Sequence, residues 1–284
     1  MFHNQSLFIN PRAVWFNKKG IKKFVSRFSS ATNILLSKKI FSGKEVKFYD
    51  ILNPVAINSD DTSLVSRTNT IRNTIFFNRT SSIYGIDYIF NYNENTNLLT
   101  SGIEKRKLIS NALKVRWNAT KSITLNGIYT NGFKQNDSDF YLDRRYEYIF
   151  NQVESSFSWL FKSFFRINVN YMYAFKSNPL KENGGQFLVS NAIGTELKFT
   201  KAGNFNVLAK FSYTSIAYND SKFKNEQLEI DMLQGLQNGH NYVWLVSFDK
   251  TIAKNFQVSL VYDARKTGVS KIVHTGRAQV RAIF

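Results

Sequence analysis

The residues of this chain that could do chemistry are few and scattered. Its three histidines are His3, His240 and His274, with no H-x-x-x-H spacing and no acidic cluster around them to complete a metal site. There is no cysteine, which removes disulfides and thiolate ligands together. His274 comes soon after Ser270, and His240 sits in a polar stretch, so a Ser/His or Asp/His hydrolytic pair can be drawn. A chain with this many Ser and Asp residues offers such pairs by composition alone. The glycines, among them Gly184-Gly185 and Gly203, mark turns and match no phosphate-cradling loop. The sequence therefore predicts no enzyme, no cofactor and no metal centre.

Charge is the stronger signal. The 284 residues carry a formal net charge of +18 with a pI near 9.9. Half of that excess lies in residues 1–44, where Arg12, Lys18, Lys19, Lys22, Lys23, Arg27, Lys38, Lys39 and Lys44 meet no acid. Such a block suits nucleic acid or anionic lipid, and a solvated basic turn beside phosphate-rich headgroups fits equally well. Farther on, Lys114, Arg116, Arg166, Lys210, Arg265, Arg277 and Arg281, with Asp263, alternate with apolar residues, and Glu154, Glu196, Lys198 and Asp249 lie nearby. On one face of a sheet these bases would favour anionic solutes. The competing reading is a salt-bridged polar wall through which nothing passes.

The elements that must position these residues are strands. Phe165, Ile167, Val169, Tyr171, Tyr173 and Phe175 alternate with Arg166, Asn168, Asn170, Met172 and Ala174. The same period of two runs through Phe205–Tyr213, Phe256–Tyr262, Leu113–Ala119, Tyr84–Tyr92 and the final Ala278, Val280, Ala282, Phe284. Period two means two faces, one apolar and one polar. No apolar run approaches the roughly 18 residues of a spanning helix, but barrel strands need only about 10 residues of alternating polarity. Aromatic content is 15%, with 26 Phe and 14 Tyr, which is high for a soluble domain.

Connections alternate in length. Short turns are expected near 80–82, 120–122, 162–163, 201–203 and 253–254, and long polar loops near 94–107, 134–144, 176–185, 219–240 and 266–272. Tight turns at one end and long loops at the other are the signature of a transmembrane barrel with periplasmic turns and outer loops. Trp117, Trp159, Phe165, Phe199, Phe205 and Phe256 all fall beside short turns, as an aromatic girdle at one membrane interface would.

The predicted fold is thus an all-β antiparallel transmembrane barrel of about twelve strands (twelve to fourteen), the twelve lying at 28–41, 64–79, 83–93, 108–119, 123–134, 144–161, 164–176, 186–200, 204–218, 241–252, 255–266 and 273–284. An even count would close the wall and remove both edges. Residues 28–284 form the barrel, and residues 1–27 are a basic extension or an upstream strand, with 7–15 as a possible thirteenth strand. Residues 228–236 read as extended, in a hairpin standing above the membrane.

Several segments resemble one family. They are Thr62-Ser63-Leu64-Val65, Arg72-Asn73-Thr74-Ile75-Phe76-Phe77-Asn78, Tyr84-Gly85-Ile86-Asp87-Tyr88, Asp231–Asn241 and the ending His274–Phe284. Together they resemble the C-terminal β-barrel region of large outer-membrane proteins of Bacteroidota, from about Asp61 to the end. The resemblance implies an outer-membrane location, lipid and lipopolysaccharide as surroundings, and a terminal Phe284 that serves as an assembly signal for the barrel-insertion machinery. It carries over no catalytic residue. Such proteins are longer and begin with an export signal, whereas Met1–Asn10 has no basic segment followed by an apolar one. An upstream portion carrying the signal is expected.

The functional expectation is an outer-membrane barrel domain of a larger surface protein, with a transport, anchoring or secretion-related role. A soluble basic β-protein that binds nucleic acid or acidic polymers is the second reading, and a rim-active outer-membrane hydrolase the third. Against the second, a stacking platform needs aromatic and basic groups on the same face.

Overall fold

The computed structural model describes residues 2–15, 19–40, 64–100, 102–162, 164–180, 185–201, 205–220, 225–253 and 256–282. Phe284, Gly184, Gly203 and Thr62-Ser63 lie outside these residues.

Among the described residues thirteen strands pair antiparallel in sequence order, each with the next. They are β1 (Phe2–Ile9), β2 (Phe28–Ile40), β3 (Leu64–Phe77), β4 (Tyr84–Leu99), β5 (Gly102–Asn118), β6 (Ile123–Ser138), β7 (Tyr146–Phe161), β8 (Phe165–Ser177), β9 (Phe187–Lys201), β10 (Phe205–Asn219), β11 (Gly239–Ala253), β12 (Phe256–Thr267) and β13 (Val273–Ala282). Among the described residues β1 and β13 are the two ends of this ladder. No described helix is long and apolar enough to cross a membrane.

The ladder is staggered. Starting at Tyr84, the first residue of β4, direct partners run Trp117, Leu125, Phe157, Val169, Thr195, Phe211, Trp244, Ala264 and His274. The row starts at a short turn and finishes beside the loop that precedes β13. Strands that climb steadily in this way are tilted, which a sheet must be in order to curl into a barrel. The chain is an all-β meander of the transmembrane-barrel type.

The strands begin and end where backbone geometry allows it. Asn78 and Lys162 take positive φ (56° and 53°) in short turns after β3 and β7. Gly132 faces Phe150 in the β6–β7 ladder. A Cβ there would meet the Phe150 ring and come within 2.7 Å of the Ile109 carbonyl oxygen, so only glycine fits.

Three expectations need correction. The stretch 94–107 is no loop, because β4 and β5 stay paired up to Leu99 and Gly102. Its Asn and Lys side chains look loop-like, yet the ladder satisfies the backbone whatever the side chains are. Residues 2–9 form a full wall strand, paired from Phe2–Ser37 to Ile9–Ser30, and the described count of thirteen falls within the expected twelve to fourteen. Within 7–15, Arg12–Trp15 is a helical turn (α1), and the basic turn is followed by a second one, α2 (Ile21–Val25). Finally, Glu226–Leu233 within the expected hairpin at 228–236 is a helix, α3. The Asn225 side chain caps it by accepting from the Leu228 N–H at 2.9 Å, and Glu226 and Glu229 in the first turn suit the positive helix end.

Candidate membrane interface and lumen

Direct ladder partners share a face, which makes each side chain's side readable from the register. One face carries Phe165, Ile167, Val169, Tyr171, Tyr173 and Phe175 of β8 and their partners. The other carries Arg166, Asn168, Asn170, Met172, Ala174 and Lys176. Helix α3 shows which face is concave. Lys134 of β6, Lys176 of β8, Leu188 of β9 and Ile216 of β10 all reach α3 or the cluster around it from the polar side. A helix can meet several strands of one sheet only from inside the curve. The polar face is therefore the lumen face, and the apolar face points outward.

The outward face is bounded by aromatics at the short-turn end. Trp117, Trp159, Phe165, Phe199, Phe205 and Phe256 all lie on it beside short turns. A run of ring contacts joins Trp159 to Phe161, Phe161 to Phe164, Phe164 to Phe199 at 5.2 Å, Phe199 to Phe205 at 5.4 Å and Phe205 to Phe248. A second run links Phe24, Phe28, Phe77 and Tyr84. Trp117 and Phe256 are about half exposed, at 51% and 49%. Flat rings with an apolar body suit the boundary between hydrocarbon and water.

Toward the long loops the outward face carries a repeat that the sequence did not announce. The Tyr88 hydroxyl donates to Asn111 Oδ1 at 2.7 Å, Tyr129 to Asn151 at 3.0 Å and Tyr171 to Asn191 at 2.9 Å. The hydroxyls of Tyr213 and Tyr262 lie 2.8 Å from Nδ1 of His240 and His274. Every pair has the same diagonal geometry: a tyrosine on an even strand from β4 to β12 and a partner on the next strand, two residues nearer the loop than the direct partner. These bonds satisfy polar tips within the mainly apolar band of that face. Sequence reasoning missed them because each pair spans a loop, at separations from 12 to 27 residues. They also account for two of the three histidines. Among the described residues neither His240 nor His274 bonds a serine or a carboxylate, and Ser270 donates instead to Gln237.

The lumen face holds Lys114, Arg116, Arg166, Lys210, Arg265, Arg277 and Arg281, spread over β5, β8, β10, β12 and β13. They form no single cluster. Lys210 pairs with Glu196 at 2.8 Å, and Asn168 also donates to Glu196. Arg116 donates to the Ser81 carbonyl at 3.0 Å, and Lys114 stands directly opposite Asp87. Arg265, Arg277 and Arg281 fall on the last hairpin with Asp263, and Asp249 on the neighbouring β11 accepts from Ser259.

The mouth at the long-loop end is narrowed by α3. Leu228, Met232 and Leu233 pack with Tyr146, Tyr148, Leu188 and Ile216 in the main buried cluster, flanked by Phe150, Tyr218 and Leu236. Leu228 is fully buried. Lys134 Nζ pairs with Asp231 at 2.6 Å, and buried Lys176 Nζ donates to the Met232 carbonyl at 2.7 Å beneath the Tyr148 ring. The Asn225 side chain ties the start of α3 to the Arg145 carbonyl on the β6–β7 connection. The helix is thus held by apolar burial and by polar contacts that take its charge into the wall.

No protein-family model matches the sequence, and neither does any curated protein sequence. Solved structures similar to the chain include the beta domain of the Bordetella autotransporter BrkA, with 10% identity over 77% of this chain and 91% of that one and a TM-score of 0.36. The translocator domain of the autotransporter NalP from Neisseria meningitidis aligns with 14% identity over 77% of this chain and 82% of that one, TM-score 0.35. The CymD monoaromatic hydrocarbon channel aligns with 9% identity over the whole of this chain and 87% of that one, TM-score 0.37. The fold of this chain is defined by its own register and faces.

Proposed function

We propose that the chain is an outer-membrane β-barrel domain with a transport role, selective for anionic solutes and narrowed at its outer mouth by α3. The observation that carries this is the separation of faces. The side away from α3 is apolar between the aromatic runs at the short turns and the Tyr–Asn/His pairs toward the loops. A soluble sheet would have to leave that whole face in water, including Leu113, Val153, Ile193, Phe211 and Leu260, each more than one-third exposed. Facing lipid, the same residues are in their preferred solvent.

The basic excess on the lumen face supports the choice of solute. The resemblance noted in the sequence supports placing the domain in a larger surface protein. The nucleic-acid reading is weakened by geometry, since the long aromatic stripes and the bases Arg166, Lys114 and Lys210 lie on opposite faces. The test is to refold the chain into lipid vesicles and compare chloride with potassium permeability from the reversal potential in a salt gradient. An anion-selective current supports the proposal. Vesicles that stay sealed with the barrel inserted overturn the transport role.

A further inference from the structure

The outward face changes character abruptly above β2–β6. One ladder row is apolar throughout: Ile34, Ile71, Tyr92, Ile109, Phe133. The next row toward the loops reads Leu36, Asn69, Glu94, Lys107, Gln135, and the one after it Lys38, Arg67, Thr96, Lys105, Asp137. Two residues of strand are about 7 Å. Over two such steps the face passes from hydrocarbon-like through polar to basic, at the height where the headgroups of the leaflet on the long-loop side must lie.

The patch is ordered by its own contacts. Glu94 and Asn69 form a buried floor, at 9% and 8% exposure. Arg67 Nε donates to Asn69 Oδ1 at 3.3 Å, Lys105 Nζ lies 3.4 Å from Glu94, the Tyr92 hydroxyl donates to Glu94 at 2.8 Å, and Lys107 Nζ sits 6.0 Å from the Tyr92 ring centre. Asp137, the ladder partner of Lys105, is paired with Arg145 at 3.0 Å. Among the described residues Glu94 alone therefore faces Arg67, Lys105 and Lys107, and a net positive charge remains there. These bases span β3 to β5, about 10 Å across two strand spacings. The outward positions of β8 to β10 nearest the long loops, Ser177, Phe187 and Asn219 in one ladder row, carry no charge, so the charge belongs to one sector of the wall.

We propose that this sector, centred on Arg67, Lys105 and Lys107, binds the phosphorylated sugar headgroup of an outer-leaflet glycolipid, with its acyl chains against Tyr92, Ile109 and Ile71. The proposal rests on the outer-membrane reading. Guanidinium and ammonium groups at the edge of an apolar band have phosphate as their natural counter-ion there. The Tyr92 ring beneath them suits the level where sugar gives way to acyl chain.

The test uses the full chain refolded into vesicles containing either bisphosphorylated lipid A or the same lipid with its phosphates removed. Heat-modifiable gel migration reports whether the barrel has inserted. Native mass spectrometry after detergent extraction reports retained glycolipid. The expected result is retention of the phosphorylated lipid and about tenfold less of the dephosphorylated one, the scale of a lost charge-assisted contact. The double variant Arg67→Gln, Lys107→Gln should show the same loss, while Lys266→Gln on the outward face of β12 should not. Equal retention of the two lipids by an inserted barrel overturns this site and leaves the barrel standing. Failure to insert overturns the outer-membrane reading instead.

Discussion

Leu228→Ala should loosen the helix that narrows the mouth. Leu228 is fully buried between α3 and the wall, in the same cluster as Met232, Leu233, Tyr146 and Tyr148. Truncating a buried leucine costs about 2–5 kcal/mol, from lost transfer free energy and from the cavity left behind. Helix α3 has eight residues, too few for a helix to persist alone in water. Its structure therefore depends on docking, and a loss of about 3 kcal/mol multiplies the undocked population by roughly a hundredfold. The paired strands, joined by their own ladders, should hold. The assay is amide hydrogen exchange on the barrel in detergent micelles, with peptides resolving 226–233 from β7 and β9. Exchange in α3 should accelerate by about two orders of magnitude while the strands keep their protection. Conductance of the same variant in planar bilayers should rise. Unchanged exchange in α3 would refute the argument that burial of Leu228 holds it down, and equal acceleration everywhere would show that α3 and the wall unfold together.

Other outcomes follow from single contacts. Gly132→Ala should lower the urea midpoint of the vesicle-inserted protein by the equivalent of about 1–3 kcal/mol, because the added methyl drives the Phe150 ring and the Ile109 carbonyl apart. Tyr129→Phe and Tyr171→Phe should each cost about 0.5–1.5 kcal/mol, the net worth of one hydrogen bond, with anion permeability unaltered. Lys210→Gln with Arg166→Gln should shift the reversal potential toward cation preference. Lys176→Met should leave the wall intact but free the Met232 carbonyl, and α3 exchange in that variant should rise less than in Leu228→Ala.

How far the sequence could be read depended on whether a feature repeats along one strand. Phe165 to Phe175 shows both faces of β8 without any partner, because period two is a property of the strand itself. The short turns near 80–82 and 120–122 were equally legible. Helix α3 was not, because Leu228, Ile230 and Met232 alternate with Glu229, Asp231 and Leu233 and so imitate a strand. The fold separates the two periods: Leu228, Met232 and Leu233 are buried, while Ile230 is 63% exposed, which is helical spacing. The Tyr–Asn/His pairs and the Arg67–Lys105–Lys107 patch needed the register itself, since their members lie on different strands. β1 was hard to see because Asn4, Gln5 and Ser6 interrupt the apolar pattern, and only pairing with β2 makes it part of the wall.

The central claim is that this sheet is a membrane-spanning barrel, and gel migration tests it most directly. The chain, refolded in detergent, is run cold and after boiling. A closed barrel keeps its ladder in cold detergent, so the account predicts two different mobilities, the boiled sample migrating as the unfolded chain. A single mobility in both lanes, together with a soluble monomer in buffer without detergent, would contradict it.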